Sequence, residues 1–167
     1  MLVTIKVAIF DLDGTLVNLP IDYPSLYEEF RKITAFKNIE PITKTVTALN
    51  EALRGEVFEA WTRAEYAVLP KMTVIKNGMA LYEHYSEIPK ALVTMQGRKT
   101  AERILNVLNL SFSTVITRED SLDRTAQIRC ALRKLKLKPE DAILIGDRET
   151  DKDAAREIGC KFRMVRQ

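Results

Sequence analysis

The 167-residue chain has two cysteines, one histidine, and no continuous apolar run approaching the ~20 residues of a membrane-spanning helix. Cys130 and Cys160 lie far apart without metal-ligand spacing, which sets aside a disulfide scaffold and a cysteine-bound metal; both read as buried thiols. The only histidine, His84, falls in a predicted helix as a surface or packing residue, so no Ser-His or Cys-His pair is available to activate a nucleophile. Charge of one sign is lacking too: 26 basic against 23 acidic residues give +3, and the basic residues are scattered. That is too little to argue for a nucleic-acid partner. The densest basic stretch, Arg129 to Lys138, alternates with Leu132, Leu135 and Leu137, as the wet face of an amphipathic helix does. No signal-peptide pattern precedes the first strand. The expectation is a soluble, cytoplasmic protein, monomer or homodimer, with neither membrane nor nucleic acid as partner.

What the chain does have is a 46% hydrophobic content, enough for one domain or one domain with a modest insertion. Val3 to Phe10 is a continuous apolar run with many β-branched residues, the pattern of a strand covered on both faces. Ala91–Thr94, Thr114–Ile116 and Ala142–Ile145 repeat it, and Lys161–Val165 predicts a shorter edge strand. Helical patterns lie between them, over Gly78–Tyr85, Thr100–Leu108, Ala126–Leu135 and Asp151–Ile158. The alternation predicts an α/β fold: a Rossmann-like parallel sheet with helices on both faces. Residues 18–76 break the rhythm. They carry three helical stretches, Tyr23–Phe36, Ile42–Arg54 and Glu56–Leu69, with no convincing strand, and Glu40-Pro41 separates the first two. This predicts an all-helical insertion at 18–76 in a core made of 1–17 and 77–167.

The first strand ends in Asp11-Leu12-Asp13-Gly14-Thr15. Two carboxylates at the exit of a core strand need a compensating cation or a shared proton, because burial opposes their charge. In open parallel sheets, ligands sit beyond the carboxyl ends of the strands. There Asp11 and Asp13 would meet Thr94, which ends A-L-V-T, and Asp147, which ends I-L-I-G-D. Asp151 follows Asp147 by one helical turn, and Arg124 opens the helix before that strand. A cluster of hard oxygen donors suits Mg²⁺, and the hydroxyl, backbone N–H groups and guanidinium around it suit a phosphate group.

These residues resemble the haloacid dehalogenase superfamily of phosphohydrolases, and its phosphoglycolate-phosphatase-like members in particular. D-L-D-G-T at Asp11–Thr15 is similar to the family's nucleophile motif, L-V-T at Leu92–Thr94 to the second, and G-D-R-E-T-D at Gly146–Asp151 to the acidic fourth. Arg124 stands where the family usually has lysine. The resemblance implies a HAD-type phosphoric monoester hydrolase acting on a small phosphorylated metabolite. Asp11 would attack phosphorus to form an aspartyl-phosphate. Asp13 would protonate the leaving oxygen, activate the hydrolytic water, and lend its backbone carbonyl to Mg²⁺. Thr94 would hydrogen-bond a phosphoryl oxygen, and Arg124 would neutralise charge. Asp147 would bind the metal directly, and Asp151 either through water or as a partner of Arg124. An aspartate at position 13 matches oxygen leaving groups, which favours a phosphatase over a dehalogenase.

Two departures stand out. Arginine changes the reach and geometry of the third-motif cation, for which Lys99 and Lys134 are the other candidates. Met95-Gln96 follows Thr94 where relatives often have a small or polar residue. The helical insertion is similar to the cap of this superfamily, with Tyr23, Trp61, Arg63 and Tyr66 as substrate-facing or packing residues. Arg98 and Lys99 are candidates for a second anionic group. Two rivals remain: a phosphomutase of the same fold, and a catalytically silent regulatory protein that binds a phosphate ligand.

Overall fold

The apolar run before Asp11 is the central strand of a five-stranded, all-parallel sheet, seen in a computed structural model that describes residues 4–167. The strands are β1 (Val7–Phe10), β4 (Lys90–Val93), β5 (Thr114–Ile116), β6 (Ala142–Gly146) and β7 (Lys161–Met164), in spatial order β5-β4-β1-β6-β7. Two further strands, β2 (Val17–Asn18) and β3 (Thr73–Val74), pair antiparallel. Val3 lies outside the described residues. The chain runs outward from β1 through β4 to β5, then returns to the other side of β1 for β6 and β7. Its direction therefore reverses at β1, the place where such sheets leave a crevice at their carboxyl ends.

Side chains alternate across the sheet, so the two faces can be read from β1 itself. Val7 and Ile9 join Ala91, Val93 and Leu144 on one face. This face packs on Ile128, Ala131 and Leu132 of α6 (Arg124–Leu135) and Ala154, Ala155 and Ile158 of α7 (Glu149–Ile158). Phe10 points the other way, towards Tyr82 of α4 (Lys76–His84), with ring centroids 6.0 Å apart. The remaining core helix, α5 (Arg98–Leu108), buries Ala101, Ile104 and Leu105. Both faces of the sheet are covered, which is why four of its strands are near-continuous apolar runs, whereas the edge strand β7, K-F-R-M, alternates exposed and half-buried residues.

The described chain divides into two compact units, one of residues up to Asn18 with Thr73–Gln167, the other Leu19–Met72. The second is helical, with α1 (Tyr23–Thr34), α2 (Ile42–Ala48) and α3 (Glu51–Val68). Asp22 caps α1 by accepting from the Ser25 N–H at 3.1 Å. Three sequence expectations are corrected here. The helical span was expected to lack strands, yet Asn18 and Thr73–Val74 pair with each other and with Val17. Two-residue strands are too short to carry a periodicity. The second and third helices meet at Leu49-Asn50, not near Arg54, because the Asn50 side chain accepts from the Leu53 N–H at 2.9 Å and starts α3 there. Gly55 is carried inside the long helix. The cysteines are also corrected: Cys130 and Cys160 are half-buried, not buried. Among the described residues, no helix is long and apolar enough to cross a membrane.

Candidate active site

β1 delivers Asp11 to the end of the sheet, where its N–H donates to the Ile145 carbonyl of β6 at 3.0 Å. The chain then turns sharply: the Leu12 carbonyl accepts from the N–H groups of Thr15, Leu16 and Val17 at 2.9–3.2 Å. Gly14 takes φ +83° in this turn, and a Cβ there would stand 2.3 Å from Asp147 Oδ2. Only glycine satisfies both demands, so the residue after Asp13 is set by the carboxylate arriving from β6. Thr15 Oγ1 donates to Asp147 Oδ1 at 3.4 Å. The D-x-D-G-T sequence is thus a loop built around Asp147.

Asp11, Asp147 and Asp151 converge, each offering a carboxylate oxygen within 4.8 Å of the other two. Asp151 is the third residue of α7, and its Oδ2 accepts from the Arg148 N–H at 3.4 Å. Asp13 is half-buried and bridges to Val17, but its carboxylate is not one of the three. Arg124 begins α6, whose first turn is capped by Asp123 accepting from the Ala126 N–H at 2.6 Å. Its guanidinium spans the cluster, with Nη2 3.0 Å from Asp11 Oδ1 and Nε 2.9 Å from Asp151 Oδ1. The third nitrogen, Nη1, donates to Gln127 Oε1 at 2.8 Å. Lys99 and Lys134, the other candidates for the third-motif cation, are exposed on α5 and at the end of α6.

Three carboxylates converge here, Arg124 pairs with two of them, and their acidities follow. Burial pushes the Asp11 carboxyl up to about 7; Arg124 opposes this, and the charges of Asp151 and Asp147 add to it. Asp147 is raised as well, first by burial, with Arg148 pulling it down and Asp151 pushing it up. The excess of negative charge and the all-oxygen donor set fit a hard divalent cation. Asp11 and Asp147 are the residues best placed to hold one, since both oxygens of Asp151 already face donors, Oδ1 the Arg124 guanidinium and Oδ2 the Arg148 N–H.

Thr94 leaves β4 fully buried. Its hydroxyl donates to Gln96 Oε1 and accepts from the Gln96 N–H at 3.1 Å, so its proton reaches a ligand only if Gln96 turns aside. The Thr94 carbonyl accepts from Gln127 Nε2 at 2.8 Å. Sequence reasoning missed Gln127, although a residue three positions after Arg124 on a helix shares its face. It also missed Arg118, which is fully buried and donates from Nη1 to the Met95 carbonyl at 3.2 Å, shaping the loop after β4. No apolar pattern marks that arginine as internal.

Other candidates are occupied elsewhere. Arg98 pairs with Asp120, and its N–H donates to the Glu119 carboxylate, so the start of α5 is already supplied with anions. In the helical unit, Trp61 is buried against Phe30 with ring centroids 5.7 Å apart, the packing role of its two readings. Arg63 pairs with Glu29 at 2.7 Å, Tyr23 packs at a tilt against Tyr27, and Tyr66 is 43% exposed. His84 is exposed at the end of α4, edge-on to Tyr85.

Comparison with known proteins points the same way. The family model described as haloacid dehalogenase-like hydrolase matches residues 25–165. The chain is 25% identical over 179 residues to a phosphoglycolate phosphatase of Aquifex aeolicus, covering 96% of this chain and 84% of that one. It is 26% identical over 197 residues to the pyrophosphatase PpaX of Bacillus thuringiensis, covering 96% and 83%. Among solved structures, a haloacid dehalogenase-like family hydrolase from Streptococcus pneumoniae superposes with a TM-score of 0.70 at 23% identity, covering 97% of this chain and 85% of that one. That likeness concerns the fold. With the family model spanning most of the chain, from α1 into the residues after β7, this protein belongs to the haloacid dehalogenase-like hydrolases.

Proposed function

We propose that the protein is a Mg²⁺-dependent phosphatase that hydrolyses a small phosphomonoester through an aspartyl-phosphate on Asp11. The observation that carries this reading is the Arg124 guanidinium lying across both Asp11 and Asp151, inside a trio of converging carboxylates. A guanidinium in that position serves an anionic group arriving at Asp11, and few other substrates justify burying so much charge. The names of the relatives, a phosphoglycolate phosphatase and a pyrophosphatase, agree in chemistry while differing in substrate.

In this reading, Asp11 attacks phosphorus in line with the ester oxygen, the P–O bond breaks, and Asp13 gives its proton to the departing alkoxide. Asp13 then takes a proton from water, whose oxygen attacks phosphorus; the bond from phosphorus to the Asp11 oxygen breaks, returning Asp11 as a carboxylate and releasing inorganic phosphate. Arg124 balances negative charge on Asp11 and on the transferring group, which grows as the phosphoryl passes between oxygens. Thr94 supplies a hydroxyl to a phosphoryl oxygen once released by Gln96. Asp11, Asp147 and the Asp13 carbonyl would hold Mg²⁺, with Asp151 orienting Arg124; bound there, the ion supplies charge neutralisation and polarises a phosphoryl oxygen. The helical unit is proposed as the cap, the part that reads the substrate beyond its phosphate, with Tyr23, Arg63 and Tyr66 as its candidate residues.

The test is a panel of phosphorylated metabolites and a generic aryl phosphate, assayed for inorganic phosphate with Mg²⁺ and with EDTA. Phosphate release that Mg²⁺ supports and EDTA stops is expected. Isomerised sugar phosphate without phosphate release would indicate a mutase, and an untouched panel would favour a silent binding protein.

A further inference from the structure

We propose that Gln127 is a positioning residue: it holds the Arg124 guanidinium across Asp11 and Asp151 and ties it to the end of β4. Its effect on turnover rests on the phosphatase reading; its effect on the placement of Arg124 does not. Gln127 is fully buried in the first turns of α6. Its carboxamide has two N–H bonds, and they meet two carbonyls, Thr94 at 2.8 Å and Ser121 at 2.8 Å. Carbonyls only accept, so these two partners fix which end of the amide is nitrogen. The Oε1 atom is left facing Arg124, where it accepts from Nη1 at 2.8 Å.

This matters because the cation is an arginine. An ammonium is a compact charge on a flexible stem, whereas a guanidinium is a planar fork that works only when its edges are matched. Asp11 takes Nη2 and Asp151 takes Nε, which leaves Nη1 to be matched by a neutral acceptor in a buried place. A third carboxylate there would add to the repulsion already felt by Asp11. A carboxamide adds none. Through the Thr94 carbonyl the same amide reaches the strand end that carries the second motif, so one side chain sets the third motif against the second.

The experiment uses the full-length protein with Gln127→Met, Gln127→Glu and Arg124→Lys, alone and combined. Crystal structures come first: in Gln127→Met the guanidinium should leave Asp11 or Asp151, and retention of both contacts would overturn the proposal. Kinetics on an aryl phosphate with Mg²⁺ come second. Gln127→Met should lower kcat about tenfold, the scale of one hydrogen bond to a charged group, with KM changed less than about threefold. Gln127→Glu keeps an acceptor for Arg124 but adds a third carboxylate beside the guanidinium and loses both N–H donors to the Thr94 and Ser121 carbonyls, so it should lower kcat at least as far as Gln127→Met does. In an Arg124→Lys background, adding Gln127→Met should change kcat by about twofold or less. A purely structural role through Thr94 and Ser121 would instead give the same loss in both backgrounds, or a loss carried by KM, and either result would overturn the proposal. If the wild-type protein leaves the aryl phosphate and the metabolite panel untouched, the phosphatase reading fails, while the crystal structures still decide the role of Gln127.

Discussion

Replacing Asp11 by asparagine should stabilise the metal-free protein at about pH 8 while abolishing its activity, the reverse of what a core substitution does. Asp11 is 4% exposed, and burial lifts its carboxyl to about 7 against the pull of Arg124. The unfolded chain loses this proton near pH 4. Between about pH 4 and pH 7 the folded chain therefore binds more protons than the unfolded one, so stability falls as pH rises and levels off above. Lifting a carboxyl from about 4 to about 7 corresponds to roughly 4 kcal/mol, an upper bound that relaxation of the cluster lowers to about 1–2 kcal/mol. Asparagine cannot ionise, yet its Oδ1 still accepts from Arg124. For a domain of this size the gain is a Tm roughly 2–8 °C higher. Scanning calorimetry in EDTA at about pH 8 and about pH 5 measures it, and the difference should shrink at the lower pH, where wild-type Asp11 is protonated. An Asp11→Asn variant that melts below wild type at about pH 8 in EDTA would refute the reasoning.

Mg²⁺ should raise the Tm of the wild type at about pH 8, and the gain should fade by about pH 5 as protons compete for Asp11; equal stabilisation at both values would place the ion elsewhere. Arg124→Ala should lower kcat about 100-fold or more, and Lys99→Ala, on an exposed position, by less than about twofold; steady-state kinetics in the reverse order would move the cation role to Lys99. Gly78→Ala should be strongly destabilising, by about 2 kcal/mol or more in urea unfolding, because its Cβ would fall 1.7 Å from the Thr15 carbonyl oxygen. A neutral result there would mean that α4 and the loop after Asp13 part easily.

The parts of the fold readable from the chain are those written in hydrophobicity. Four of the five sheet strands are near-continuous apolar runs because the sheet is covered on both sides, and once the sheet is parallel, Asp11, Thr94 and Asp147 must gather at one end. Short features without periodicity escape: the paired residues Val17–Asn18 and Thr73–Val74 are two apiece, and the start of α3 depends on one asparagine side chain. The site is legible in its charges and not in its neutral groups. Asp11, Asp147 and Asp151 announce themselves by their cost of burial, whereas Gln127 and Gln96 act through oriented amides that leave no compositional trace. Nor does a sequence reveal that the Thr94 hydroxyl is committed to Gln96, since that depends on the path of the loop after β4.

The most direct measurement is to quench the wild-type protein during turnover of a phosphomonoester with Mg²⁺, digest it, and locate any phosphoryl group by mass spectrometry. A single phosphoryl group on the peptide that carries Asp11, absent from Asp11→Asn and from samples in EDTA, is the expected result. Steady phosphate release with that peptide unmodified, and with Asp11→Asn still active, would contradict a nucleophilic Asp11.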